Sequence, residues 1–276
     1  MKLKQGFKIA LGTWKTTLGY FKANPNLLIP FFIVGIFDFL ILGVIYLAPR
    51  PPLSALLAPP IRAFWGEKFL HYPFNLLLIP HLFNYGHIIS TAFIGVLMTG
   101  LAIGMLSEAK EEGRPSVLVN LIRAAKRYPS LVAIWLVMFV LVTIVFKGLP
   151  FILRLKQPTA LQIVFYVSFF ISILIQVVFI YALPAVMIEK KRTWQAIKRS
   201  ISFSKSLFLP TLLLVMIPMI IYLLLIILRG RLPILITKSF PEVILIFLGL
   251  GIVVSVIIDC LITYSTAILF LQQRRA

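Results

Sequence analysis

The chain has 276 residues, of which 61% are hydrophobic and only 13% charged, and its mean hydropathy is +1.03. A soluble domain carries about twice that charged fraction, whereas several runs here have the roughly 20 apolar residues needed to cross a bilayer. The net charge of +19 does not point to nucleic acid, because the bases sit at helix ends and in short connectors with no soluble module to hold a duplex.

The fold class that follows is all-α: a polytopic membrane protein with six transmembrane helices. A transmembrane barrel would need alternating segments of about 10 residues, and the sequence has none. The single cysteine, Cys260, lies in an apolar run and leaves neither an intrachain disulfide nor a cysteine-based zinc cluster to consider. The opening MKLKQGFK is not followed by the short apolar core and small-residue cleavage site of a signal peptide, so the N-terminus is expected to stay.

In chain order, Leu3, Phe7, Leu11, Trp14, Leu18 and Phe21 recur at spacings of three and four, one stripe of a helix. Lys4, Lys8, Lys15 and Lys22 fall on its flank, where a lysine runs its stem along lipid and keeps its ammonium among headgroups. The first span is expected over residues 27–47, with Asp38 near its middle. Residues 48–85 are rich in proline, which forbids one continuous helix and predicts short helices in the outer leaflet. The second span is expected over residues 86–106, with Gly100 and Gly104 at the spacing that lets helices approach closely.

A second basic segment, residues 108–128, carries Arg123, Lys126 and Arg127 beside an apolar face of Val117, Leu118, Leu121, Ile122 and Ala125. Pro129 and Ser130 are expected to open the third span, which ends near Phe146, and a connector over 147–158 leads to the fourth span over 160–188. The third basic segment begins EKKRTWQAIKRS, with Lys190, Lys191, Arg192, Lys198 and Arg199 around a stripe of Trp194, Ile197 and Ile201. The fifth span, 207–228, contains Pro210 and Pro218, which predict a kink. A connector over 229–241 precedes the sixth span at 242–270.

These parts divide the single membrane domain into three repeats, 1–107, 108–188 and 189–276, each a basic amphipathic surface helix followed by a membrane hairpin. Four features agree on this: the two connectors are alike, the span ends MLSEAKEE, VMIEKKRT and LFLQQRRA are alike, and Trp14 and Pro30 match Trp194 and Pro210 at one offset. The surface helices and both chain ends hold 18 of the 27 lysines and arginines. That side is expected to face the cytoplasm, in a cytoplasmic (inner) membrane with both termini inside.

Candidates for chemistry are few. Asp38 and Asp259 are the only acids within the spans, and such an acid costs on the order of 2.5–3.5 kcal/mol at the bilayer centre, which marks it for function. Asp259 belongs to the i+4 stripe Gly251, Ser255, Asp259 and Thr263, and Ser168, Ser172 and Gln176 form a second one. Both faces are expected to look inward, either as an ion-responsive seam or as hydrogen bonding between packed helices, the reading we favour. Asp38 is expected to meet a backbone or hydroxyl donor.

His71, His81 and His87 share no helix face, so they are read as interfacial histidines satisfied by water, with Glu67 the only carboxylate near them in sequence. No catalytic motif, metal cluster or cofactor signature is present, and no enzyme activity is expected. A lipid-modifying enzyme using Glu67 and His71 is the thin remaining alternative.

A span ending before MIEKK, followed by TWQAIKRSISFSKSLF, resembles a loose class of six-span prokaryotic membrane proteins that includes the membrane domain fused to some glycerophosphodiester phosphodiesterases. The shared feature is a charged residue after a span and then an A-x-x-x-S surface helix, here Ala196 to Ser200, and the resemblance covers about a third of the chain. It implies no catalytic residue in the membrane part, because the hydrolase of the fused members is a separate soluble domain.

The function expected is therefore a non-enzymatic protein that organises anionic lipid, or a protein partner, at the cytoplasmic face through Lys15, Arg123, Lys126, Arg127, Lys190, Lys191, Arg192, Lys198 and Arg199. The alternative is a permease-like carrier of a small or lipidic substrate that uses Asp38 and Asp259.

Overall fold

The computed structural model describes residues 3–153, 157–236 and 242–273. Among them every regular element is helical, and six helical stretches are long and apolar enough to span a bilayer: Pro25–Leu47, Phe74–Glu111, Val117–Ile152, Thr159–Met187, Phe208–Leu228 and Val243–Gln273. The protein is an all-α, polytopic membrane protein. Lys2, Arg154, Lys156, Lys238, Arg274 and Arg275, used above to assign orientation, lie outside the described residues, as do the closing parts of both connectors.

The helices, in order, are α1 (Leu3–Ala23), α2 (Ile29–Leu47), α3 (Ser54–Trp65), α4 (Phe74–Ser90), α5 (Val96–Glu112), α6 (Val117–Ile152), α7 (Pro158–Phe179), α8 (Ala182–Met187), α9 (Thr193–Ser206), α10 (Phe208–Ile236) and α11 (Val243–Gln273). The second span differs from expectation. It begins at Phe74 and runs through Pro80, with a π-helical turn at Thr91–Gly95 joining α4 to α5. Only α3 and a 3₁₀ turn at Glu67–Leu70 precede it as short helices. Pro129 does not break the chain either, because α6 is one helix through it. A proline removes one backbone bond, but in an apolar setting no water competes for its neighbours. The fourth span is instead interrupted, at Ile180 and Tyr181 between α7 and α8.

The chain packs as two compact units, one of Met1–Pro30, Val96–Ile220 and Asp259–Ala276, the other of Phe31–Gly95 and Ile221–Ile258. In the first unit the end of each returning span lies on the short helical segment that leads into another span. α5 lies on the start of α6. A Cβ at Gly100 would stand 2.6 Å from Leu131 Cδ1 and 3.3 Å from Ala124 Cβ, and one at Gly104 would stand 2.8 Å from Asn120 Oδ1. Only glycine permits that approach.

The end of α7 lies on α9, where Ser200 Oγ donates to the Val178 carbonyl at 2.6 Å and Ser204 Oγ to that of Val177 at 2.8 Å. The break before α8 leaves these carbonyls without helical partners, and the two serines satisfy them. The end of α11 lies on α1. Thr17 Oγ1 is 3.2 Å from Ser265 Oγ, Phe21 meets Tyr264 edge to face at 5.2 Å, and the Tyr264 hydroxyl donates to the Leu27 carbonyl.

In the second unit α2, α4 and α11 share a core of Leu42, Leu76, Ile79, Phe83, Ile244, Leu248 and Ile252. A smaller cluster of Ala48, Ile61 and Leu78 seats α3. Tyr72 Oη donates to Glu242 Oε1 at 3.1 Å.

Candidate functional site

The second unit encloses the site. A cavity of about 480 Å³ is walled by α4, α10 and α11, with Leu77, Phe83, Phe247, Leu248 and Ile252 as its main apolar surface. That volume lies in the range of small-molecule pockets, which are apolar with a few convergent polar groups. The polar groups here are His81, Asn84, His87, Tyr222 and Ser255. No lysine, arginine or carboxylate is among the lining residues.

His87 carries the chemistry. Its Nδ1 is 3.1 Å from Oδ2 of Asp38, whose side chain is 1% exposed, while His87 retains 31% exposure. Close approach of α2 and α4 makes the pair possible, because a Cβ on Gly86 would come within 2.6 Å of Ile41 Cγ2. Phe83 stacks on the imidazole at 5.9 Å and 21°. The second carboxylate oxygen of Asp38, Oδ1, is buried without a hydrogen-bond partner. A mid-span acid with a single polar neighbour depends on that neighbour. The arrangement orients the imidazole against the carboxylate.

Two expectations are corrected here. Asp38 meets a histidine and not a backbone or hydroxyl donor, and His87 is paired with an intramembrane carboxylate and not left to interfacial water. The sequence signal existed, since an acid and a histidine both fall inside apolar helices, but nothing local placed them together. His81 belongs to the same cavity, and its ring lies 6.2 Å from that of Tyr85. His71 does not join them: it is 70% exposed and 4.0 Å from Glu67, which Arg62 also binds. Arg62's hydrogen bond holds the Glu67 carboxyl below its ordinary range. Among the described residues no group of three or more acids, histidines or cysteines could hold a metal.

The polar stripes separate. Gly251 and Ser255 line the cavity, but Asp259 is exposed and Thr263 half-buried, so that face does not look inward along its whole length. Ser168 is buried and Ser172 and Gln176 half-buried. The hydroxyls do not bridge helices as expected, since Ser172 donates to Ser168 O at 2.8 Å and Ser255 to Ile252 O at 2.9 Å, each within its own helix. A short hydroxyl in an apolar helix finds the i−4 or i−3 carbonyl before it finds a neighbour.

In the first unit the basic candidates take two roles. Lys15, Lys126, Lys190, Arg192 and Lys198 are exposed, with the Lys198 ammonium 5.5 Å from the Trp194 ring. Others serve the fold. Arg127 donates to the carbonyls of Val186 and Met187 at the end of α8, a cation at a helix C-terminus. Arg123 reaches Glu108 at 3.8 Å, and Arg199 and Lys191 reach Glu189 at 3.3 and 3.0 Å. Glu108 also accepts from the Ser116 backbone N–H at 2.7 Å and from the Asn120 amide. Both glutamates lie near the end of a returning span and bind an arginine on the next helix.

Compared with known proteins, the chain matches no family model, no curated protein and no solved structure.

Proposed function

We propose that the protein binds a small lipid-like amphiphile in the cavity of its second unit and carries it in a proton-sensitive manner. The observation that carries this reading is His87 on the wall of a 480 Å³ cavity with its Nδ1 on the buried carboxylate of Asp38. Apolar walls suit an acyl or ring body, and the cluster of His81, Asn84, His87, Tyr222 and Ser255 suits one polar head. Asp259, exposed and outside this unit, has no part in it. No step here breaks a covalent bond, so the protein acts as a carrier and not an enzyme. The test is uptake of a fluorescent fatty-acid analogue into liposomes at several internal pH values. Flux that depends on pH and is lost in Asp38→Asn and His87→Ala supports the reading, and flux equal to that of empty liposomes overturns it.

A second reading, organisation of anionic lipid or a protein partner by the basic helices, is favoured by the exposed lysines of the first unit. On either reading the side bearing these helices is the cytoplasmic one, in the inner membrane, and the chain is built of three hairpin repeats. The shared Glu–Arg contacts after the second and fourth spans support the repeats. The resemblance to membrane domains fused to phosphodiesterases carries over no activity.

A further inference from the structure

We infer that the first unit holds the anionic leaflet of the membrane at three equivalent edges, one on each of α1, α6 and α9. Read round each helix at 3.6 residues per turn, the surface follows one order in one rotational sense. On α1 a small buried face of Gly6, Ala10, Thr13 and Thr17 passes into an exposed ridge of Phe7, Leu18 and Leu11, each more than half exposed. Beyond the ridge stands a row of Lys22, Lys4, Lys15 and Lys8, all exposed.

On α6 the buried Asn120 and Ala124 give way to Ala125, Leu118 and Ile122, and then to Lys126, with Arg123 beyond it paired with Glu108. On α9 the buried Phe203, Ala196, Ser200, Ser204 and Ile197 give way to Ile201 and Trp194, and then to Lys205 and Lys198. α1 and the start of α6 bury small and polar residues, α9 buries Ile197 and Phe203 beside its serines, and all three turn further aromatic or aliphatic bulk outward with cations on one flank.

That order fits a helix lying in the headgroup layer, where the ridge enters acyl chains and the lysine stems bend back to phosphate. The exposed rows carry no acid, so their complement is an anionic surface. In a chain with six membrane-crossing helices the apolar ridges select a bilayer over a soluble acidic protein. Three edges on one body act together, so lipid selection persists when one is lost.

The test places the full-length protein in phosphatidylcholine vesicles in which either the phosphatidylcholine or an equal fraction of phosphatidylglycerol is brominated. Trp65 and Trp135 are replaced by Phe, and Trp14, Trp194 or a Leu118→Trp reporter remains, one per protein. Quenching is normalised to unbrominated lipid. Brominated phosphatidylglycerol is expected to quench all three reporters more strongly, with about fivefold per lysine as the ceiling. Lys4, Lys8, Lys15 and Lys22→Gln removes the preference at Trp14 alone, Lys126→Gln at position 118, and Lys198 with Lys205→Gln at Trp194. Equal quenching by both lipids overturns the charge assignment. No quenching by either overturns the membrane edge and leaves an acidic protein as occupant. Preference at one helix only overturns the threefold equivalence.

Discussion

Tyr264 donates its hydroxyl proton to the carbonyl of Leu27, 237 residues earlier in the chain. Tyr181 does the same at one remove: its hydroxyl donates to Thr211 Oγ1, which in turn donates to Leu207 O at 2.7 Å. Each tyrosine precedes, by the same interval, a polar residue near the end of its span, Glu189 just after α8 or Gln272 in the last turn of α11. Each leucine follows, by the same interval, the tryptophan of its short helix, Trp14 or Trp194. Both tyrosines are fully buried. Gly100 stands at that same interval before Glu108, and Leu131 packs directly against it. Removing either hydroxyl leaves an oxygen without its donor, so Tyr264→Phe and Tyr181→Phe are each expected to cost about 0.6–1.7 kcal/mol. Thermal unfolding in mild detergent reads this, and similar losses for the two variants are the signature of equivalent junctions.

The Asp38–His87 pair should respond unequally to loss of its two partners. His87→Ala strands a buried carboxylate and is expected to cost on the order of 2.5–3.5 kcal/mol. Asp38→Asn keeps an acceptor for the imidazole N–H and costs less. The double variant Asp38→Asn, His87→Ala recovers part of the loss of His87→Ala, because no charge remains to be stranded. Unfolding midpoints of the three variants decide the matter; a double variant worse than both singles would mean the pair is held by packing alone.

Glycines divide by what lies opposite them. Gly104→Ala puts a methyl group 2.8 Å from the Asn120 amide oxygen and is expected to cost about 1–3 kcal/mol through overpacking. Gly12→Ala and Gly19→Ala on α1 meet nothing within 4 Å and should be neutral or stabilise by up to about 1 kcal/mol. Melting temperatures of the three proteins separate the cases.

Acid should not act through Glu67. Its carboxyl lies below the ordinary range because Arg62 hydrogen-bonds it. Its contribution is therefore present above the ordinary carboxylate value and fades as pH falls through the lowered one. Both side chains are more than half exposed, and solvent and salt screen such a pair. Glu67→Gln is expected to leave the melting temperature unchanged from pH 7 to pH 3.

The spans were legible because twenty apolar residues need no tertiary context to declare themselves. The flanking α1 stripe and its lysines were equally plain. What failed was local punctuation. Pro129 and Pro80 read as breakers by soluble rules, yet both sit inside continuous helices. The pairing of Asp38 with His87 was illegible for a different reason. Forty-nine positions separate them, and neither residue's neighbours encode which helix will face it. The Asp259 stripe misled because i+4 spacing fixes a shared face and not its direction, so Gly251 points to a cavity while Asp259 is exposed.

The seam between α1 and α11 also sets an order in time. α1 leaves the ribosome long before the helix it docks on exists, and the spans between them are laid down first. The seam can therefore close only after the end of α11 is made, and the entropy of closing so long a loop rises only slowly with its length. A chain cut before Tyr264 would keep most of its spans and lose the partners that Thr17 and Phe21 find on α11.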